Sequence, residues 1–144
     1  MAYFYDKVGK QETCSVWYFD YKYNSDLKVA WMVGNQLTGF IQRCDAVRSH
    51  SFATLYCFGD AEEKNLQVSG CMVIIGTDMN NHMVREELNW GNPDACWYEY
   101  KQLDLSSAED KAKIESMFYD HRSTADDAKL SWNGKTIYDG KLFL

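Results

Sequence analysis

The sequence has little of what interrupts regular structure, and it lacks the marks of several protein classes. Its 144 residues contain a single proline, Pro93, and 9 glycines, which predicts regular elements joined by short links. No run of 18 apolar residues is present, so no membrane-spanning helix is expected. The start of the chain lacks the basic and apolar segments of a signal peptide. We therefore predict one cytoplasmic domain over residues 1–144.

Cysteine is present, but without the spacing that metal centres or disulfide frameworks need. The five cysteines stand at positions 14, 44, 57, 71 and 96, and no two form a C-x-x-C pair. We therefore expect buried thiols in a reducing compartment and no metal site. Common catalytic and phosphate-binding motifs are also absent, so no cofactor is predicted.

Basic clusters are missing as well, which argues against direct binding of nucleic acid. The formal net charge is −6, and residues 59–127 hold fifteen acids against six bases. This acidic middle can simply favour solubility, or it can form a face that attracts a basic protein partner. The candidate binding residues on such a face are Glu62, Glu63, Glu86 and Glu87.

Aromatic residues, in contrast, are abundant at 15%, with 10 tyrosines, 7 phenylalanines and 5 tryptophans. Large rings fill a small core well, but a tryptophan beside a polar turn can also remain exposed and anchor a partner. Trp90 lies in such a turn, Trp97 begins an aromatic segment, and Trp132 precedes an Asn-Gly dipeptide. These three tryptophans are the candidate anchors.

Strand patterns dominate the coarse reading of the chain. Two apolar segments flank the polar loop 59–64 and predict an antiparallel hairpin. The Asn133-Gly134 dipeptide predicts a second hairpin with a tight turn. We predict strands at 13–23, 51–58, 65–75, 95–103, 129–132 and 135–138, and residues 3–8 could pair with the first of these.

Helical periodicity is predicted in three places. The first helix begins near Asp26, capped by Asn24 or Ser25, and its apolar side includes Trp31 but not Met32. A second covers residues 77–90, and a third follows the capping-box spacing of Ser106-Ser107-Ala108-Glu109. The glycines in the first helix, at 34 and 39, can mark close approach of another element. The prediction is α+β: a mainly antiparallel sheet, or a mixed one, of about six strands with two to three helices against one face.

Two histidines could carry chemistry if the fold brought them together. His50 and His121 could act as acid and base on a phosphodiester, with Arg48 and Arg122 holding the phosphate. The alternative is a loop histidine and a cation at a helix end. Asp78, His82 and Glu86 recur at helical spacing as metal ligands would, but a solvated helix face explains that spacing equally well.

These observations favour a protein partner, and composition alone suggests a small acidic inhibitor that blocks or sequesters it, as in phage or bacterial conflict systems. Two alternatives stay open: a metal-independent phosphodiesterase or nucleotide-acting enzyme using His50 and His121, and a structural subunit of a homo-oligomer. A small nucleotide is the alternative ligand. Neither a membrane partner nor a particular oligomeric state is predicted.

Overall fold

The computed structural model describes residues 14–44, 51–75, 96–118, 131–132 and 135–143. They form the strands β1 (Cys14–Tyr21), β2 (Ser51–Asp60), β3 (Lys64–Ile75), β4 (Tyr98–Leu103), β5 (Ser131–Trp132) and β6 (Lys135–Phe143), and the helices α1 (Ala30–Gln42) and α2 (Ala108–Phe118). One sheet contains all six strands, in the order β4-β1-β3-β2-β6-β5.

The pairings in the described part of the sheet are all antiparallel. The α+β class with an antiparallel sheet is therefore confirmed. Five strands have six or more residues and β5 has two, close to the predicted number. The predicted strand at 3–8 and the predicted helix at 77–90 lie outside the described residues, and the extent of the domain stays a prediction.

Strand β1 shows why the sheet is covered on both sides. Trp17 and Phe19 belong to the core that includes α1, whereas Val16 and Tyr18 belong to the core that includes α2. None of the four is more than 9% exposed. A strand that is apolar on both sides must be buried on both sides, so the two helices pack on opposite faces. The expectation that the helices lie against one face is wrong.

The two predicted hairpins are present. Strands β2 and β3 pair in one continuous register from Ser51 opposite Ile74 to Phe58 opposite Gln67. Strands β5 and β6 pair with Trp132 opposite Lys135. Two residues of the chain lie between this pair, the same number that the hairpin prediction assigned to the turn. In both cases the loop length and the strand pattern were sufficient to identify the hairpin.

The core on the α1 face is organised around Phe19. Its ring centroid lies 5.9 Å from that of Phe40 and 5.6 Å from those of Tyr98 and Tyr100. On the neighbouring strand, a Cβ at Gly70 would overlap the Phe19 ring. Phe19 therefore occupies the space that the missing side chain at Gly70 leaves.

Helix α1 begins four residues later than predicted, and it buries a narrower stripe than expected. Val29 is extended (φ −134°, ψ 123°), and the helix starts at Ala30. The Asn24 side chain does not cap it but accepts a hydrogen bond from the Val68 N–H at 3.2 Å. Trp31 was expected on the apolar side and is 67% exposed. That expectation is wrong, because the buried stripe is narrow; its members are Ala30, Val33, Gly34, Leu37 and Phe40.

Gly34 allows α1 to approach β6, as its position predicted. A Cβ there would overlap the carboxylate of Asp139. Asp139 also accepts a hydrogen bond from the Gly140 N–H at 2.8 Å and lies 3.5 Å from the Lys141 Nζ. Helix and strand thus meet around a carboxylate that already has partners.

Helix α2 is capped one residue later than the sequence spacing indicated. Ser107 Oγ accepts a hydrogen bond from the Asp110 N–H at 3.4 Å, and Asp110 accepts one from the Asp104 N–H at 2.8 Å. The cap residue is therefore Ser107, not Ser106. Ile114 and Met117, three residues apart on one side of the helix, belong to the core on this face of the sheet and are fully buried.

Candidate protein interface

Most of the predicted site residues lie outside the part of the chain that the structure describes. The expected acid–base pair, its phosphate-binding arginines and part of the acidic face lie outside the described residues: His50, His121, Arg48, Arg122, Trp90, Glu86 and Glu87. The metal candidates Asp78 and His82 lie outside them too. In the part of the chain that is described, no group of three or more His, Cys, Asp or Glu side chains could hold a metal ion.

Two of the predicted tryptophan anchors lie in described segments. Trp97 immediately precedes β4 and is 39% exposed. Its carbonyl accepts the Lys22 N–H at 2.8 Å, and the Lys22 Nζ donates to the Cys96 carbonyl at 2.9 Å, which fixes this end of the β1–β4 pair. Trp132 is in β5 at the edge of the sheet. The structure does not bring Trp97 and Trp132 together, since their strands stand at opposite edges.

Glu62 and Glu63, the other predicted binding residues, form the turn between β2 and β3. Both are exposed. Their φ angles are 60° and 57°, and that of Asn65 is 52°. Such left-handed backbone is uncommon outside glycine and persists only where the surroundings hold it. Contacts from other parts of the structure must therefore stabilise the backbone conformation of this turn.

Tyr138 supplies two of these contacts. Its hydroxyl accepts a hydrogen bond from the Glu63 N–H at 3.0 Å and donates one to the Asp60 carbonyl. Asp60 is the last residue of β2 and Glu63 is the last residue of the turn, so one hydroxyl group joins the two ends of the turn. A residue 75 positions away from Glu63 in the chain thus fixes the turn.

A β-bulge places Tyr138 at this position. Cys57 pairs with Asp139 and Phe58 pairs with Ile137, so Tyr138 is the extra residue between them. A bulge sends neighbouring side chains to one side of the sheet. Tyr138 packs against the core on the α1 face, and Asp139 meets α1 on that same face. The irregularity in β6 therefore supports both the turn and the helix.

The turn also contacts the first turn of α1. The Glu63 carboxylate accepts a hydrogen bond from the Ala30 N–H at 3.3 Å. A carboxylate at this position satisfies a backbone donor that the helix leaves open and complements the helix dipole. The next two residues, Trp31 and Met32, are 67% and 56% exposed. We call Trp31, Met32, Glu62 and Glu63 the Trp31 surface.

Charged groups beside the Trp31 surface are held in pairs. The Asp60 carboxylate accepts hydrogen bonds from the Lys135 Nζ at 2.5 Å and from the Asn65 amide at 2.8 Å. These bonds hold the pKa of Asp60 below its usual value. Glu62 pairs with Lys64 at 3.1 Å, but its side chain stays 80% exposed. Glu62 is thus the carboxylate that a partner could reach.

The sequence predicts Trp31 on the apolar side of the helix because that side is wider than the stripe that the fold buries. The residues that are buried recur at i, i+3, i+4, i+7 and i+10 from Ala30, and a stripe of that width leaves Trp31 outside it. The signal was therefore in the sequence. The contact between Glu63 and Ala30 was not, because it joins elements 33 residues apart.

Within the described residues, no helix is long and apolar enough to span a membrane. Residues 1–78 match the sequence model of a protein family, the elongation factor 1 gamma conserved domain. This match includes β1, α1, β2 and β3, and with them the whole Trp31 surface.

Curated relatives agree with the family match. The chain is 34% identical to elongation factor 1-gamma of Drosophila melanogaster over 143 residues, which cover 99% of this chain and 28% of the relative. It is 32% identical to that of Artemia salina over 118 residues, 82% of this chain and 26% of the relative. Identity to elongation factor 1-gamma-A of Xenopus laevis is 31% over 143 residues, 99% of this chain and 30% of the relative. The chain spans less than a third of the length of these relatives.

These matches overturn the functional hypothesis drawn from composition. An inhibitor from a phage or bacterial conflict system is wrong, and the phosphodiesterase and structural-subunit alternatives stay predictions. Composition misled because acidic, aromatic-rich domains occur in many unrelated functions. The family match extends over more than half of this chain, and the chain belongs to the elongation factor 1 gamma conserved-domain family.

Proposed function

We propose that this chain is a protein-binding domain of a translation elongation factor of the elongation factor 1-gamma type, acting in the cytoplasm. The observation that carries the proposal is the exposure of Trp31, 67% of whose surface is accessible on an ordered helix. Exposed single apolar residues are common on monomers, but tryptophan is the residue most enriched among the anchors of protein interfaces. Met32 beside it extends the apolar area with a side chain that adapts to different partners.

The supporting geometry makes Trp31 a well-positioned anchor. The helix that carries it is packed on the sheet through Val33, Leu37 and Phe40, each no more than 2% exposed. Its first turn is tied to the β2–β3 turn by the hydrogen bond from Ala30 to Glu63. A rigid anchor loses little conformational freedom when a partner binds. The surface is therefore suited to a protein contact.

The test is a binding titration of the fluorescently labelled domain with purified elongation factor proteins. Trp31→Ala should raise the dissociation constant by about tenfold or more, as expected for an interface anchor. Leu142→Ala is the matched control, because Leu142 is 51% exposed and pairs with Thr54 on the α2 face. It should leave the affinity within about twofold. Equal affinities for the wild type and Trp31→Ala would overturn the proposal.

A further inference from the structure

We infer that the Trp31 surface recognises an arginine-bearing segment of a partner protein, with the guanidinium group stacked on the Trp31 indole and paired with the carboxylates of Glu62 and Glu63. This inference rests on the proposed function, because it names the chemistry of the partner at the same surface. Three features of the surface lead to it: available carboxylates, a turn fixed before binding, and an exposed ring.

The carboxylate of Glu62 is available to a partner. Its present ion pair with Lys64 joins two side chains that are 80% and 70% exposed, and pairs of this kind contribute little to stability. An incoming cation can therefore displace Lys64 at small cost. Asp60, in contrast, is already bonded to Lys135 and Asn65. The partner is therefore expected to use Glu62, together with the Glu63 carboxylate oxygen that does not bond to Ala30.

The turn that presents these carboxylates is fixed before any partner arrives. Glu62 and Glu63 have φ angles of 60° and 57°, and the Tyr138 hydroxyl holds the turn through Glu63 N–H and the Asp60 carbonyl. Groups that are already ordered give more net affinity than groups that must be ordered on binding. An acidic turn held in this way is therefore a recognition element in addition to a connection between strands.

The exposed ring explains why arginine is the expected cation. The Glu63 carboxylate bonds to the backbone N–H of Ala30, the residue before Trp31, so the acidic turn adjoins the start of the helix that carries the exposed indole. A guanidinium group can stack on an indole face and donate in its own plane to carboxylates at the same time. A lysine ammonium is a more strongly hydrated point charge and gains less from the ring.

One charge acts against this recognition. Lys28 is exposed and lies three residues before Trp31 in the chain, where it adds positive charge to the region. If the partner segment is basic, then reversing this charge should strengthen binding and quicken association at low salt. Lys28→Glu therefore gives a prediction of opposite sign to that for the acidic turn.

The experiment is an NMR titration of the isotope-labelled chain with three synthetic peptides. They are acetyl-Arg-Gly-Arg-Gly-Arg-amide and the same peptide with lysine or glutamate in place of arginine. The arginine peptide should shift the Trp31 indole N–H and the Glu62 and Glu63 amide signals, and the lysine peptide should bind more weakly. The glutamate peptide should leave these signals unchanged.

Two variants test the roles of the charges at this surface. Glu62→Gln should weaken binding of the arginine peptide by about two- to fivefold, and Lys28→Glu should strengthen it. Glu99→Gln is the matched control, since Glu99 is exposed on the edge strand β4, two strands away from β3. It should have no effect beyond that of the reduced net charge.

Several results would overturn the inference: shifts that map elsewhere, equal binding of the glutamate peptide, or binding that Glu62→Gln and Glu99→Gln affect equally. Failure here is distinguishable from failure of the proposed function. If Trp31→Ala still abolishes binding of purified elongation factor proteins while the arginine peptide shifts nothing, the protein interface stands. In that case only the assignment of arginine as its partner chemistry is wrong.

Discussion

The Tyr138 hydroxyl accepts a hydrogen bond from the Glu63 N–H at 3.0 Å. The same hydroxyl donates to the Asp60 carbonyl, so a bulged residue of β6 closes the turn between β2 and β3. The Glu63 carboxylate of that turn also accepts a hydrogen bond from the N–H of Ala30, the first residue of α1. A strand, a turn and a helix are thus connected beside the exposed Trp31.

Removing only this hydroxyl should loosen the turn. Tyr138→Phe keeps the ring in the core but deprives the Glu63 N–H and the Asp60 carbonyl of their partner, at a cost of about 0.5–1.5 kcal/mol in the free energy of unfolding. Urea unfolding measures that cost, and hydrogen exchange at the Glu63 amide should accelerate. Tyr23→Phe, at an exposed tyrosine, is the control. Unchanged exchange at Glu63 would show that the hydroxyl does not hold the turn.

Two glycine-to-alanine substitutions should have opposite effects on stability. At Gly70 a Cβ would overlap the Phe19 ring, which cannot move far between the neighbouring rings. Gly70→Ala should therefore destabilise by about 1–3 kcal/mol, as overpacked cores do. At Gly39 a Cβ would lie 3.2 Å from the end of the flexible Arg43 side chain. Gly39→Ala should stabilise the helix by up to about 1 kcal/mol.

Thermal or urea unfolding of both variants measures the difference. The two changes add the same atoms, so the comparison isolates the surroundings of each glycine. A Gly70→Ala variant as stable as Gly39→Ala would mean that the Phe19 core has unused space.

Alkaline pH should destabilise the fold. Burial raises the pKa of Cys57 from 9.0 to about 12 and that of Cys71 from 9.0 to about 12. Burial likewise raises the pKa of Tyr18 from 10.0 to about 12. The folded state favours the neutral form of each group. The contribution of each group to the free energy of unfolding is therefore fully present below its unfolded pKa of 9 to 10. It is lost as the pH rises from there towards 12.

The measurement is the free energy of unfolding by urea between pH 8 and pH 11. It should fall with pH, and the slope should be shallower in a Cys57→Ala, Cys71→Ala double variant, which has two fewer buried groups to ionise. The comparison of slopes is informative even though the double variant will be less stable at every pH. Identical slopes would contradict burial of these thiols.

The described thiols should differ sharply in reactivity. Cys96 is exposed, whereas Cys44, Cys57 and Cys71 are no more than 2% exposed. Under native conditions an alkylating reagent should modify Cys96 before Cys44, Cys57 and Cys71, since access and thiolate formation both limit these three. Peptide mapping by mass spectrometry identifies the modified sites, and urea should expose the remaining three. Early modification of Cys57 or Cys71 would argue against the buried sheet.

Local sequence patterns predicted much of the fold. The aromatic-rich segment predicts β1, and the loop lengths predict the β2–β3 hairpin and the C-terminal hairpin, because strand pairing across a short loop is a local property. The position of α2 against the sheet does not follow in the same way. The consecutive apolar residues from Val16 to Phe19 indicate a strand that is covered on both faces, but they do not show which helix covers which face.

The candidate site was predictable only in part. Charge identifies Glu62 and Glu63 as candidate binding residues, but the helical pattern predicts Trp31 on an apolar side that is wider than the buried stripe. The bonds that make these residues one surface, from Tyr138 to Glu63 and from Glu63 to Ala30, span 75 and 33 residues. No periodicity relates groups so far apart, and the bulge that places Tyr138 has no clear sequence mark.

The affinity of the Trp31→Ala chain for purified elongation factor proteins, measured beside the wild type and Leu142→Ala, tests the central claim most directly. The account predicts a loss of about tenfold or more for Trp31→Ala and an unchanged dissociation constant for Leu142→Ala, with all three chains equally folded by circular dichroism. Wild-type affinity in Trp31→Ala would contradict the claim that this exposed tryptophan anchors a protein partner.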